Sequence, residues 1–182
     1  HRGCRGMVEV RQRRRNCIHA AVETTSQTSF GFRGQLEVMP EKPTYGAAFA
    51  DVYDEWYGTS DDLNAVVDLL TTWKPRRVLE LGVGTGRIAI PLAARLQADD
   101  ESATVVGVDE SPEMLALLAT NDSAGLVRAA LGDMVDDQPD EVFDLVFVSY
   151  NTLFNVVERN RQRACIAEAA ARLSDGGVLV ID

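Results

Sequence analysis

Apolar residues follow two rhythms along this chain. From about residue 75 onward they come in short unbroken runs, at Arg77 to Leu81, Val105 to Asp109, Leu126 to Ala130, Phe143 to Ser149 and Gly177 to Asp182. Runs this short and this rich in Val, Leu and Phe predict strands buried on both faces. Between most of them apolar positions recur at helical spacing, over about 86–97, 111–120 and 160–173, and an irregular crossover is expected between the third and fourth strands. Alternating strands and helices predict an α/β fold: a doubly wound, mostly parallel open sheet. Upstream, Ala47, Ala48, Phe49, Val52, Tyr53, Trp56 and Tyr57 fit a short amphipathic helix ended by Gly58. Ser60, Asp61 and Asp62 suit the start of a second helix, whose apolar positions run from Leu63 to Trp73 before Pro75 stops it. Residues before Met39 sustain neither rhythm and read as an appendage.

Composition narrows the function classes. The chain has 182 residues, which suits one domain of ordinary size. Its formal charge is -10, but residues 1–40 hold seven Arg against three Glu, so residues 41–182 carry -14. A body this acidic repels a phosphate backbone, so no nucleic-acid partner is expected. No run approaches the roughly 18 apolar residues of a membrane helix, and the first forty lack a secretory apolar core, so no membrane partner is expected and the cytoplasm is the default location. Cys4, Cys17 and Cys165 show no CxxC spacing, and His1 and His19 do not sit near a cysteine at ligand spacing, so no metal site is expected.

The densest chemical signal is Val78-Leu79-Glu80-Leu81-Gly82-Val83-Gly84-Thr85-Gly86-Arg87, an apolar strand that delivers a glycine turn into a helix. Such glycines let the backbone turn tightly and approach a ligand, and the helix start offers unpaired N–H groups. The GxGxxG spacing of dinucleotide sites would need glycine at position 87, where Arg87 stands. Glu80 at the strand end would repel a pyrophosphate and attract a cation, which favours a cationic nucleoside. Asp109, ending the second strand, can accept the two hydrogens of a ribose diol. Gly132-Asp133-Met134 after the third strand can set a carboxylate and an apolar side chain at a purine edge.

These residues resemble the class I S-adenosylmethionine-dependent methyltransferases, in particular their small-molecule branch that acts on natural products or sugar amines. The likeness runs from about Tyr45 to Asp182. It implies a Rossmann-like sheet in which Glu80, Gly82, Gly84 and Gly86 wrap the methionine portion of S-adenosyl-L-methionine, Asp109 holds the ribose and Asp133 accepts the adenine amine. It implies that Phe143 to Thr152 forms the fourth strand and active-site loop, and that Tyr45, Tyr53 and Tyr57 form a lid over the cofactor. On this reading residues 1–40 are a basic leader, 41–74 the lid and first helices, and 75–182 the cofactor-binding core. The family continues with a further helix and two strands, so the sheet is expected to be C-terminally incomplete, its bare edge suited to a homodimer or another partner.

Ser149 to Asn155 falls where open α/β sheets hold ligands, with Tyr150 and Asn151 expected to line the pocket and Leu153 and Phe154 as its apolar wall. Tyr150, Asn151 and Asp54 are the candidate catalytic groups. Cofactor contacts are expected from Tyr45, Tyr53, Glu80, Gly82, Gly84, Gly86, Asp109, Asp133, Met134 and Ser149. Methyl transfer from a sulfonium needs in-line placement of a nucleophile and exclusion of water. With no histidine in residues 41–182 to take a hydroxyl proton, an amine acceptor is preferred. Cys165, among apolar neighbours on a helix, is expected to be buried and inert. The rival readings are an NAD-dependent oxidoreductase and a non-catalytic binding domain of the same fold.

Overall fold

A computed structural model describes residues 8–11 and 61–182. Its elements in chain order are β1 (Val8–Arg11), α1 (Asp61–Thr71), β2 (Arg77–Leu81), α2 (Ala89–Asp99), β3 (Thr104–Asp109), α3 (Pro112–Asn121) and β4 (Val127–Leu131). They continue with β5 (Phe143–Val148), a 3-10 turn at Thr152–Asn155, α4 (Arg159–Ala171) and β6 (Leu173–Ile181).

The strands form one sheet in the order β1-β6-β5-β2-β3-β4. β2 to β6 run parallel, as their apolar runs predict. The chain moves outward from β2 to β3 and β4, then returns to lay β5 on the other side of β2. This reversal opens a crevice at the carboxyl ends of β2 and β5, where open α/β sheets bind ligands. Both faces of β2, β3, β5 and β6 are buried because side chains alternate, whereas β4, expected to be buried, is half-buried to exposed at the sheet edge. Val78, Leu145, Phe147, Val178 and Val180 face one core with Leu70 of α1, Leu92 of α2 and Leu118 of α3. Leu79, Val146, Val148 and Leu179 face the other, with Cys165 and Ala169 of α4.

Three differences from the sequence reading have local causes. β6 begins at Leu173 rather than Gly177: Phe143 pairs with Leu173 and Leu145 already with Val178, so the Ser174 to Gly177 stretch bulges out, with Gly176 at φ 84°. Residues 8–11, within the presumed appendage, pair antiparallel with β6, Val8 opposite Ile181 and Arg11 opposite Val178. The edge expected to be bare is therefore covered by the chain's own strand. Leu153, expected on the pocket wall, turns into the core.

The acidic stretch before β5 is ion-paired at several points. Asp136 accepts from Arg161 at 2.9 Å, Glu141 from Arg128 at 2.6 Å, and Asp140 pairs with Arg172. Among the described residues no helix is long and apolar enough to cross a membrane.

Candidate cofactor site

The site begins where β2 ends. Gly82, Gly84 and Gly86 have φ values of 76°, 55° and 83°, a region that favours glycine. The Gly82 and Val83 N–H groups both donate to the Val108 carbonyl, at 2.8 and 3.0 Å, folding the loop back on β3. Asp109 then straps the loop: one carboxylate oxygen accepts from Gly84 N–H at 2.8 Å and the other from Ser111 N–H at 3.0 Å. Ser111 in turn caps α3, its hydroxyl accepting from Met114 N–H at 3.2 Å. One carboxylate thus fixes the glycine loop and the entry to α3.

The three glycines serve different ends. Nothing lies within 4 Å of where a Gly84 Cβ would stand, so the chain is open to a ligand there. A Gly82 Cβ would stand 2.2 Å from Thr152 Cγ2, so the loop and the 3-10 turn touch backbone to side chain. Gly86 is off the cavity wall; its Cβ would meet Ile90 at 2.8 Å and Leu118 at 3.1 Å, so its role is close packing of α2 on α3. Sequence reasoning grouped all three as ligand contacts because spacing does not show which way each turn faces.

Glu80 is buried, at 3% exposure, beneath this loop. One oxygen accepts from the Ser149 hydroxyl at 3.4 Å, and Oε2 has no hydrogen-bond partner. Burial pushes its carboxyl well above the ordinary range; the Ser149 hydrogen bond opposes this and the Asp109 charge adds to it. A buried carboxylate oxygen without a donor is costly unless a ligand supplies one.

β5 contributes the opposite wall. Tyr150 and Asn151 both adopt left-handed backbone, with φ values of 51° and 60°. Two adjacent non-glycine residues in this region store strain of the kind that collects at ligand sites. The turn brings the Tyr150 ring over the Arg87 guanidinium, 5.3 Å from carbon to ring centroid. Asp133 is held from several sides. Its Oδ1 accepts from Val135 N–H at 2.6 Å and Asp136 N–H at 3.2 Å, and its Oδ2 from Arg161 at 2.8 Å.

These groups surround a cavity of about 660 Å³, a volume suited to a nucleoside-sized ligand. Gly82, Gly84, Asp109, Asp133, Met134, Tyr150 and Asn151 line it, and Glu80 and Ser149 line a small recess of about 20 Å³ under its Gly82 end. Phe154 lines the cavity and is 69% exposed at its rim. Tyr45, Tyr53, Tyr57 and Asp54 lie outside the described residues.

Sequence reasoning missed several wall residues. Arg87 drew notice only because it was not glycine, Thr152 and Asn155 only as part of the loop after the fourth strand, and Glu158 and Arg161 drew none, yet all five line the cavity. Spacing signals a glycine loop, but a polar residue on a turn or helix end carries no mark of the cavity it meets. Cys165 is buried, its thiol pushed up to about 11 chiefly by burial. Among the described residues no three His, Cys, Asp or Glu side chains converge so as to hold a metal ion.

Comparison with known proteins adds to this geometry. A family model described as a methyltransferase domain matches residues 78–177. The cypemycin N-terminal methyltransferase of a Streptomyces species is 36% identical over 147 residues, spanning 79% of this chain and 58% of that protein. The CcbJ methyltransferase from Streptomyces caelestis superposes with a TM-score of 0.66 at 36% identity, over 76% of this chain and 56% of that one. CalS10, an amino pentose methyltransferase from Micromonospora echinaspora solved with S-adenosylmethionine bound, gives a TM-score of 0.61 at 30% identity, over 71% of this chain and 55% of that one. The chain spans a little over half the length of these relatives.

Proposed function

The chain belongs to the methyltransferase-domain family, and from that premise we propose that it binds S-adenosyl-L-methionine in the cavity and methylates a small-molecule acceptor, an amine in preference to a hydroxyl. The observation that carries this reading is Glu80, a buried carboxylate with an unpartnered oxygen directly under a glycine loop. The ligand that repays its burial carries positive charge and N–H donors, as the methionine ammonium does, with the sulfonium adding charge alone. A dinucleotide would bring its pyrophosphate to the same place, against that carboxylate.

The remaining residues fit the other parts of the cofactor. Asp109 keeps lone pairs for a ribose diol while it holds the loop. Met114 and Met134 give the nucleoside end apolar, polarisable walls. Asp133 suits the adenine amine, and Ser149 orients Glu80. When bound, S-adenosylmethionine would supply an electrophilic methyl group, to which an acceptor lone pair bonds in line as the carbon–sulfur bond breaks and S-adenosylhomocysteine leaves. Tyr150 and Asn151 orient the acceptor on the β5 side and help exclude water, with Tyr45, Tyr53 and Asp54 assigned to the covering segment.

Two points support an amine. No histidine occurs in residues 41–182 to take the proton that a hydroxyl must lose. The names of two relatives, an N-terminal methyltransferase and an amino pentose methyltransferase, both denote acceptors bearing nitrogen.

Calorimetric titration with S-adenosylhomocysteine and, separately, NADH tests the cofactor. Micromolar binding of the nucleoside thioether and none of NADH is expected; the reverse pattern overturns the reading. A screen of small amines and alcohols with methyl-labelled cofactor then tests the acceptor. Label entering only hydroxyl compounds sinks the amine preference, and cofactor binding without transfer to any acceptor favours a non-catalytic domain.

A further inference from the structure

The geometry points to Arg161 as a positioning residue for cofactor selection, one that holds the Asp133 carboxylate in place to accept the 6-amino group of a purine. This rests on the proposal that S-adenosylmethionine occupies the cavity.

Asp133 lies in a turn between β4 and β5, a segment with no regular structure of its own. Its Oδ1 is fixed by the Val135 and Asp136 N–H groups. Because the carboxylate is planar, Oδ2 then moves chiefly with shifts of the turn itself. Arg161, on the first turn of α4, restrains that turn. One guanidinium nitrogen donates to Asp133 Oδ2 at 2.8 Å and the other to Asp136 Oδ2 at 2.9 Å, bridging two residues of one turn. The planar fork of arginine allows this simultaneous contact, where a lysine would offer a single point of charge. Arg161 also lines the cavity beside Asp133, so the ion pair stands at the ligand surface. Oδ2 retains a lone pair for a further donor, and the 6-amino group of adenine is a donor.

The alternative is an ion pair that merely docks α4, and other contacts already do that. Gln138 Nε2 donates to the Cys165 carbonyl at 3.2 Å and to the Met134 carbonyl at 2.7 Å. The Cys165 thiol donates to the Met134 carbonyl at 3.4 Å, and Cys165 and Ala169 are buried against the sheet. Removal of the guanidinium therefore loosens the turn that carries Asp133 while leaving the helix seated.

The test pairs Arg161→Met with two ligands, S-adenosylhomocysteine and its analogue lacking the 6-amino group, with Arg161→Lys as the conservative variant. By calorimetry Arg161→Met is expected to weaken S-adenosylhomocysteine about tenfold and the deaminated analogue less than about twofold, a coupling typical of groups in one network. Arg161→Lys keeps the charge without the fork and recovers part of the loss. Equal weakening of both ligands by Arg161→Met, or no weakening of either, overturns the inference. Failure of the unaltered protein to bind S-adenosylhomocysteine overturns the cofactor reading itself, a separate result.

Discussion

At Glu80 folding and ligand binding make opposite demands. Its carboxyl is held above its ordinary value of about 4.5 chiefly by burial, so the folded chain binds this proton more tightly than the unfolded chain does. The stability it contributes is full below that ordinary value and is lost as pH rises toward the elevated native one. Glu80→Gln keeps the shape and removes the ionisation. Without ligand at pH 7 the variant is expected to melt about 3 °C higher, with a flatter pH dependence of melting above pH 5. Its affinity for S-adenosylhomocysteine should fall at least about tenfold, through loss of a charge-assisted hydrogen bond. A variant that is less stable at pH 7 and binds as before would show that the buried charge is neither a cost to the fold nor a contact for the ligand. Glu80, Asp109 and Asp133 were legible as candidates because each lies at or just past the carboxyl end of a strand in an α/β pattern. Arg161 was not, because its partners at positions 133 and 136 become neighbours only when α4 packs beside their turn.

Between elements, the site depends on contact of the glycine loop with the 3-10 turn after β5. An added Cβ at residue 82 stands 2.2 Å from Thr152 Cγ2, in backbone that disfavours any side chain. Gly82→Ala is expected to cost about 1–3 kcal/mol in urea unfolding and to abolish measurable cofactor binding. Thr152→Ser removes the offending methyl, so the double variant should regain part of the stability and leave only the backbone strain. A double variant no more stable than Gly82→Ala alone would show that the turn yields freely. Element types in the core were readable because β2 to β6 carry apolar runs and the helices between them carry helical spacing. Boundaries shifted where backbone conformation decided: the bulge before Val178 needs Gly176 at φ 84°, and the left-handed pair Tyr150 and Asn151 has no glycine to announce it.

Across the whole molecule, the parallel sheet ends on one side in a strand drawn from far away in sequence. Val8-Glu9-Val10-Arg11 alternates apolar and charged residues, but four residues in an arginine-rich stretch are too short a period to read as a strand. Its pairing covers the edge of β6, whose N–H and C=O groups would otherwise be a template for other chains. Deletion of residues 1–11 is expected to lower the melting temperature by about 5 °C and to produce concentration-dependent self-association on size exclusion. An unchanged melt and an unchanged elution volume would show that β1 guards nothing.

The same pairing also sets an order in time. Val8 meets Ile181, so its hydrogen bonds join residues far apart in the sequence. During synthesis β1 emerges early and has no partner until residues 178–181 have left the ribosome, after β2 to β5 are already available to one another. Contacts of such sequence separation are slow to close because loop entropy must be lost first. Among the described strands, the earliest made is thus the last to be paired.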